Sequence, residues 1–342
     1  MLHFLSSLFA TSSRRSDGVD KALLERAIDR VVDGSDPRLR ALPGYRKRLR
    51  PHVESAVAHV IRLVNSFPEP AEISRQTFRS DPRLRAFFVS PEHLQEAIGN
   101  CPMVSDYLRA AKPAAGDLIF GLLSMTRTEK NIFGMDLRGD TVQREVAQVA
   151  VNFSDHRYLG PSGSEAETRR ELMRRGFDFL IEKALEAMVA ARSKKVELDQ
   201  QRQLLQRKLS AMGAGNWGLE PVFAGSDAGH PDLAALEAEI QSVETQLLGL
   251  GSNPHALESS LEHIGATLGE PAHWLDMRGI DLELNQMSIK TSPGTVGRSY
   301  QLELTELFSA SGQRRIVLLG HFPVQDLPPR PDFLEEAERL LG

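Results

Sequence analysis

The chain has 342 residues, of which 41% are hydrophobic and 25% charged. That is an ordinary globular composition with length for two or three domains, and it excludes wholesale disorder. The net charge of −5 hides an asymmetry: residues 1–115 hold 18 Lys+Arg against 13 Asp+Glu, so the excess acid lies in the remainder. Cys101 is the single cysteine, which excludes an internal disulfide framework or a cysteine-based metal cluster and predicts a reducing, cytoplasmic setting. No apolar run approaches the roughly 18–20 residues that a spanning helix needs.

Residues 1–17 form a first segment. Leu2, Phe4, Leu5, Leu8 and Phe9 are followed by Arg14 and Arg15, the reverse of a secretory leader's order of charge and apolar core. An apolar face with arginines behind it suits peripheral contact of residues 1–15 with a membrane, at its inner face. Residues 18–115 read as a helical domain. Ala22, Leu23, Ala27, Val31 and Val32 make one apolar stripe, and Val53, Ala56, Val57, Val60, Ile61 and Val64 a stronger one ended by Pro68. Short helices are predicted over Pro91–Ile98 and Pro102–Ala111.

Within this region Ser-Asp-Pro-Arg-Leu-Arg-Ala occurs twice, at Ser35–Ala41 and Ser80–Ala86. Ser or Asp before Pro is a helix-start signal, because the side-chain oxygen caps free N–H groups and Pro suits the first turn. The flanking sequence diverges at once, so a recurrent start device is expected rather than a repeat architecture. Between the copies, Arg38, Arg40, Arg46, Lys47, Arg48 and Arg50 crowd a short stretch with Tyr45. Arg46, Lys47, Arg48 and Arg50 are the candidates for meeting phosphates or anionic head groups; a solvated helix face with internal ion pairs is the competing reading.

Residues 116–160 switch to a period of two. Phe120, Leu122 and Ser124 alternate, then Ile132 or Phe133 with Met135 and Leu137, then Val149, Val151 and Phe153. Turn-type clusters at Thr128–Asn131 and Arg138–Asp140 predict a three-stranded antiparallel meander. Residues 161–270 then read as an inserted helical hairpin, opened by a capping box of Ser164 with Glu167. Ala184, Met188, Ala191, Lys195, Leu198, Arg202 and Leu205 alternate steps of four and three, as do Leu233, Leu236, Ile240, Val243 and Leu247. That alternation is a heptad seam and predicts an antiparallel coiled coil. Unbroken, the 49 residues from Ser164 to Met212 would span about 73 Å, with Gly176 as a candidate break.

Alternation resumes over 271–327, at Ile280, Leu282 and Leu284, at Tyr300, Leu302 and Leu304, and at Ile316, Leu318 and Phe322. Residues 328–342 read as a C-terminal helix. The predicted fold is therefore α+β: an N-terminal helical domain, a β-meander domain in two halves, and a long coiled-coil hairpin inserted between them.

Chemistry is less legible. Gly213-Ala-Gly215-Asn-Trp-Gly218 matches the glycines of a dinucleotide loop, but it follows a helix rather than a strand and reads as a helix stop and turn. His52 with His59 and His255 with His263 are spaced too widely for a helical zinc pair, and adjacent Asp155 and His156 face opposite sides of a strand. No catalytic residue, metal site or cofactor is expected. The loop between the two long helices is different. Helix–helix connections usually take roughly 2–8 residues, whereas Gly213 to Gly229 is 17 and carries Trp217, Leu219, Val222 and Phe223. These four are the candidate anchors for a protein partner or for self-association. The expected function is a non-enzymatic interaction or scaffold protein that presents the hairpin. A nucleic-acid or anionic-membrane module using residues 38–50 is the alternative, and an enzyme whose site is assembled from distant residues is a further one.

Overall fold

The computed structural model describes residues 20–138, 141–213, 233–249, 256–291, 299–310 and 312–328. In chain order its helices are α1 (Lys21–Gly34), α2 (Tyr45–Asn65), α3 (Pro82–Phe87), α4 (Pro91–Gly99), α5 (Pro102–Ala111), α6 (Glu165–Gly213), α7 (Leu233–Gly249), α8 (Ala256–Gly269) and α9 (Pro271–Trp274). The strands are β1 (Ala71–Glu72), β2 (Leu118–Arg138), β3 (Thr141–Ser162), β4 (Asp276–Asn285), β5 (Ser299–Phe308) and β6 (Arg314–Pro323). The α+β expectation holds, and the long helix α6 lies in sequence between two sets of strands. Two compact units result. One joins Ala58–Phe177 to the described residues from Pro271 onward; the other joins the described residues up to Val57 to Asp178–Glu270. The helical stretch 18–115 thus contributes to both, as do residues 161–270. The segments 1–17 and 329–342 lie outside the described residues.

In the first unit, strands from both sides of α6 form a single sheet in the order β3-β2-β6-β5-β4. The meander expected over 116–160 is overturned. Thr128–Asn131 is not a turn: β2 passes straight through it, paired from Thr128↔Asn152 to Asn131↔Val149. The run is polar because β6 flanks β2 only over Leu118–Met125, so the β2–β3 ribbon continues past the sheet and exposes Glu129, Lys130 and Phe133. The second half matches its expectation, since β4, β5 and β6 pair antiparallel in succession. Ser288–Thr291 then ties the two outer strands. Val151 N donates to Ser288 O at 2.8 Å, Lys290 N to Val149 O at 2.9 Å, and Thr291 N to Glu283 O at 3.1 Å. The path of backbone hydrogen bonds thereby returns on itself, which leaves fewer open edges to manage.

β3 bends by three bulges, where two of its residues face one of β2. Each has a residue at positive φ: Glu145 at 61°, Asp155 at 53° and Gly160 at 60°. The core lies on one face of the sheet. Ile119, Leu123 and Met125 of β2, Leu302 and Leu304 of β5 and Ile316 and Phe322 of β6 meet Leu84, Phe87, Leu94, Ile98 and Val104 from α3, α4 and α5. Burying each such side chain stabilises the unit by about 1.5–3 kcal/mol. α6 begins as the capping box predicts, with Glu167 N donating to Ser164 Oγ at 3.3 Å. Gly176 does not break the helix. A Cβ there would lie 3.2 Å from Val60 Cγ1, so glycine serves close packing.

Among its described residues the second unit has helices and no strand. The α1 stripe is buried through Leu24, Ile28, Val31 and Val32, and Arg30 clamps Asp178 of α6 with bonds of 2.5 and 2.6 Å. α2 and α8 approach at His52: a Cβ on Gly265 or Gly269 would stand 3.0 or 2.9 Å from its ring. Leu198 and Leu205 of α6 form one apolar cluster with Leu236, Ile240, Val243 and Leu247 of α7.

Candidate functional site

A strand has two edges, and the use of those edges shapes a cleft of the sheet unit. β5 runs beside β4 along its whole length, from Asp276↔Phe308 to Asn285↔Ser299. Beside β6 it pairs only over Thr305–Phe308 with Arg314–Val317. Further along, β2 holds one edge of β6 while β1 takes the other, through Ala71↔Gly320 and Glu72↔His321. Gly320 permits that approach, because a Cβ there would lie 2.8 Å from Ala71 O. β5 and β6 therefore part beyond Thr305 and Val317.

Two adjoining clefts occupy the parting. One, of about 480 Å³, lies between β4, β5 and β6 and is walled by Phe67, Phe87, Ile280, Val317 and Leu319 with Asp281, Glu303 and Thr305. The other, of about 550 Å³, is bordered by Glu72, Thr77, Ser80, Asp81 and Gln301. Arg83 and Glu303 belong to both. α3 places Arg83. Asp81 caps the helix by accepting from Arg83 N at 2.8 Å, and the Arg83 guanidinium turns back onto the same carboxylate at 3.1 and 2.7 Å. Burial pushes the Asp81 carboxyl up, but Arg83 outweighs that and holds it below the usual carboxylate range.

Among the described residues four carboxylates thus border the clefts against one guanidinium, which is already engaged. Asp281 and Glu303 stand directly opposite each other in the β4–β5 ladder. Among the described residues neither has an ion-pair partner. Like charges directly opposed across strands destabilise a sheet, by a few tenths of a kcal/mol up to about 1 kcal/mol.

A second set of charges centres on the core side of β5. Glu306 follows Leu302 and Leu304 on that face and is only 2% exposed. It is matched by Arg278, whose Nε and Nη2 donate to Oε2 at 2.9 and 2.5 Å, and by Arg127 at 3.5 Å. Lys290 continues the chain to Glu129 at 2.7 Å. A buried carboxylate needs such compensation, so these residues read as structural.

The residues singled out from sequence fall elsewhere. Arg46 donates to Glu25 at 2.8 Å and to Asp29 at 2.6 Å, and Arg50 also bonds Glu25. Arg48 lies 3.9 Å from Glu262; Lys47 is exposed on the same helix. Trp217, Leu219, Val222 and Phe223 lie outside the described residues. Asp155 is held by Arg315, which donates to its Oδ2 at 2.5 Å and its O at 2.7 Å, and this hydrogen bonding keeps the carboxyl below its usual range. His156 bonds Phe87 O at 2.9 Å and stacks on Phe88, and burial pushes its pKa down. His321 packs against Phe120 instead. Neither cleft is lined by Asp155 or His156. His59 bonds Leu275 O at 2.7 Å, and His263 bonds Ser259 O at 2.6 Å.

Sequence reasoning missed Asp281 and Glu303. Both were visible as polar alternates within strands, but what makes them notable is their cross-strand register. Among the described residues no group of three or more His, Cys, Asp or Glu is placed to hold a metal, and no helix is long and apolar enough to cross a membrane. Comparison with protein-family models, curated proteins and solved structures found no match.

Proposed function

We propose that this is a non-enzymatic interaction protein that presents α6 and α7, paired as a coiled-coil hairpin, to a helical segment of a protein partner. The observation that carries this reading is a second apolar stripe on α6. Leu198 and Leu205 are taken up by the cluster with α7, yet Val189, Val196 and Leu204 are 50%, 57% and 65% exposed. Val189 and Val196 are seven residues apart and Leu204 eight further on, a spacing that keeps them along one side of a helix. Two helices paired through Leu198 and Leu205 leave these three in water, and apolar residues repeated in this way suit a docking amphipathic helix. Under the same reading Trp217, Leu219, Val222 and Phe223 are anchors at the end of the hairpin. Large aromatics of this kind each contribute about 2 kcal/mol or more when they dominate an interface.

The test is a triple change, Val189→Ser, Val196→Ser and Leu204→Ser, compared with Trp217→Ala plus Phe223→Ala. In-cell cross-linking of the wild type yields a defined adduct, and the triple variant loses it without a lower melting temperature. An adduct that survives both sets of changes would overturn the proposal.

A further inference from the structure

We propose that the parting of β5 from β6 is a binding site for an extended peptide segment bearing lysine or arginine, which adds as a strand along the free edge of β5. The site lies in the sheet unit and owes nothing to the helical pair.

The backbone makes the first part of the argument. Residues 299–304 of β5 bond to β4 on one side and, among the described residues, meet no strand on the other. An open edge is a template for another chain, because its N–H and C=O groups point outward in a row. Most proteins blunt such edges with short strands, proline or an edge lysine. Residues 299–304 carry no proline or lysine, and α3 packs beside β5. It is set inside a wedge whose far wall is β6 with β1, and whose floor carries Phe67, Phe87, Val317 and Leu319. Strand addition to an edge takes affinity from backbone hydrogen bonds and specificity from pockets for alternate side chains. The clefts lie in line along β5, sharing Arg83 and Glu303, which suits a chain better than one compact ligand. Six residues at about 3.3 Å each give a contact of about 20 Å.

Charge makes the second part and commits the occupant. Asp281 and Glu303 oppose each other on the cleft wall without a cation, and Glu303 borders both clefts. Their repulsion is a cost that the free protein carries. A lysine or arginine lying between them removes it and makes a charge-assisted hydrogen bond to each carboxylate. Among the described residues the one cation of the clefts, Arg83, is occupied by Asp81 and does not do this. An acidic peptide would add to the repulsion.

The experiment uses the full chain and a fluorescein-labelled heptapeptide, Val-Lys-Val-Lys-Val-Lys-Val, read by polarisation. Its glutamate counterpart and a copy N-methylated at alternate amides are the comparison probes. The lysine peptide binds, and the other two bind at least tenfold more weakly. Asp281→Asn with Glu303→Gln weakens the lysine peptide about tenfold or more, while Glu197→Gln on α6 leaves it unchanged. The paired variant melts no lower than wild type, since it removes a repulsion, so lost binding is not lost folding. Equal binding of the N-methylated peptide would reduce the site to a charged surface and overturn strand addition. Equal binding by the paired variant would overturn the charge assignment. Uptake of calcium or magnesium by Asp281 and Glu303, seen by calorimetry with no peptide binding, would replace the peptide by a cation and end the proposal.

Discussion

The same seven residues, Ser-Asp-Pro-Arg-Leu-Arg-Ala, stand once in each unit, and a comparison of the two copies separates local instruction from context. The shared part is a clip. Asp36 accepts from Arg38 N at 3.1 Å and from its guanidinium at 2.9 and 2.8 Å, and Asp81 repeats these contacts with Arg83. Proline opens the helix in both, and Leu39 and Leu84 are both fully buried. Even the serines act alike, each donating to a carbonyl of the preceding turn.

The outcomes differ for two reasons. After the first copy comes Leu42-Pro43, and proline drives the residue before it into an extended conformation, so the turn stops as the 3-10 helix Pro37–Ala41. The second copy runs on into Phe87 and forms the α-helix Pro82–Phe87. The other reason is distant in sequence. Arg192 of α6 reaches Asp36 at 2.9 Å and also bonds Ser260, whereas Arg83 faces the cleft. Seven residues suffice to build a cap. What the cap serves is set by the chain around it.

The largest effect tests the shared part. Leu39→Ala and Leu84→Ala each cost about 2–5 kcal/mol, the range for truncating a buried leucine, measured by urea unfolding. If one proves nearly neutral, the two clips are not equivalent plugs.

The aspartates test the difference. Asp36→Ala costs about 2 kcal/mol, since a cap and a second arginine contact go together, and Asp81→Ala about 1 kcal/mol. The pH dependence has the same sign for both. Hydrogen bonding from Arg38, against burial and with help from Arg192, holds the Asp36 carboxyl far below its ordinary value. A depressed folded pKa means the stabilisation is complete above the unfolded value of about 3.9 and is lost as pH falls below it. The stability gap between wild type and Asp36→Asn therefore closes on acidification, and the Asp81→Asn gap closes less. A gap that widens in acid would show that the ion pairs do not stabilise the fold.

The smallest effect isolates Arg192. Arg192→Ala costs about 0.5–1 kcal/mol in the wild type, discounted because its side chain is 42% exposed, and almost nothing once Asp36 is alanine. Full additivity in that double-mutant cycle would remove the context from the comparison.

Read alone, the residues reveal a good deal of the local structure. The caps of α3 and α6, the alternation of β4, β5 and β6 and the apolar stripes of α1 and α2 depend on neighbours within a turn or two, and all were legible as periods and start signals. The α+β class follows from them. Tertiary structure decided the rest. Glu129, Lys130 and Asn131 have the composition of a turn, yet they sit in the middle of β2 because Val149–Val151 of β3 supplies their partners. Whether β2 joins β6, whether Ser288–Thr291 ties β4 to β3, and whether Asp281 meets Glu303 are matters of register between segments far apart in sequence. Periodicity tells which side of a strand is buried. It carries no information about which strand lies alongside, since backbone hydrogen bonds are alike at every residue and only the packed whole selects among the pairings.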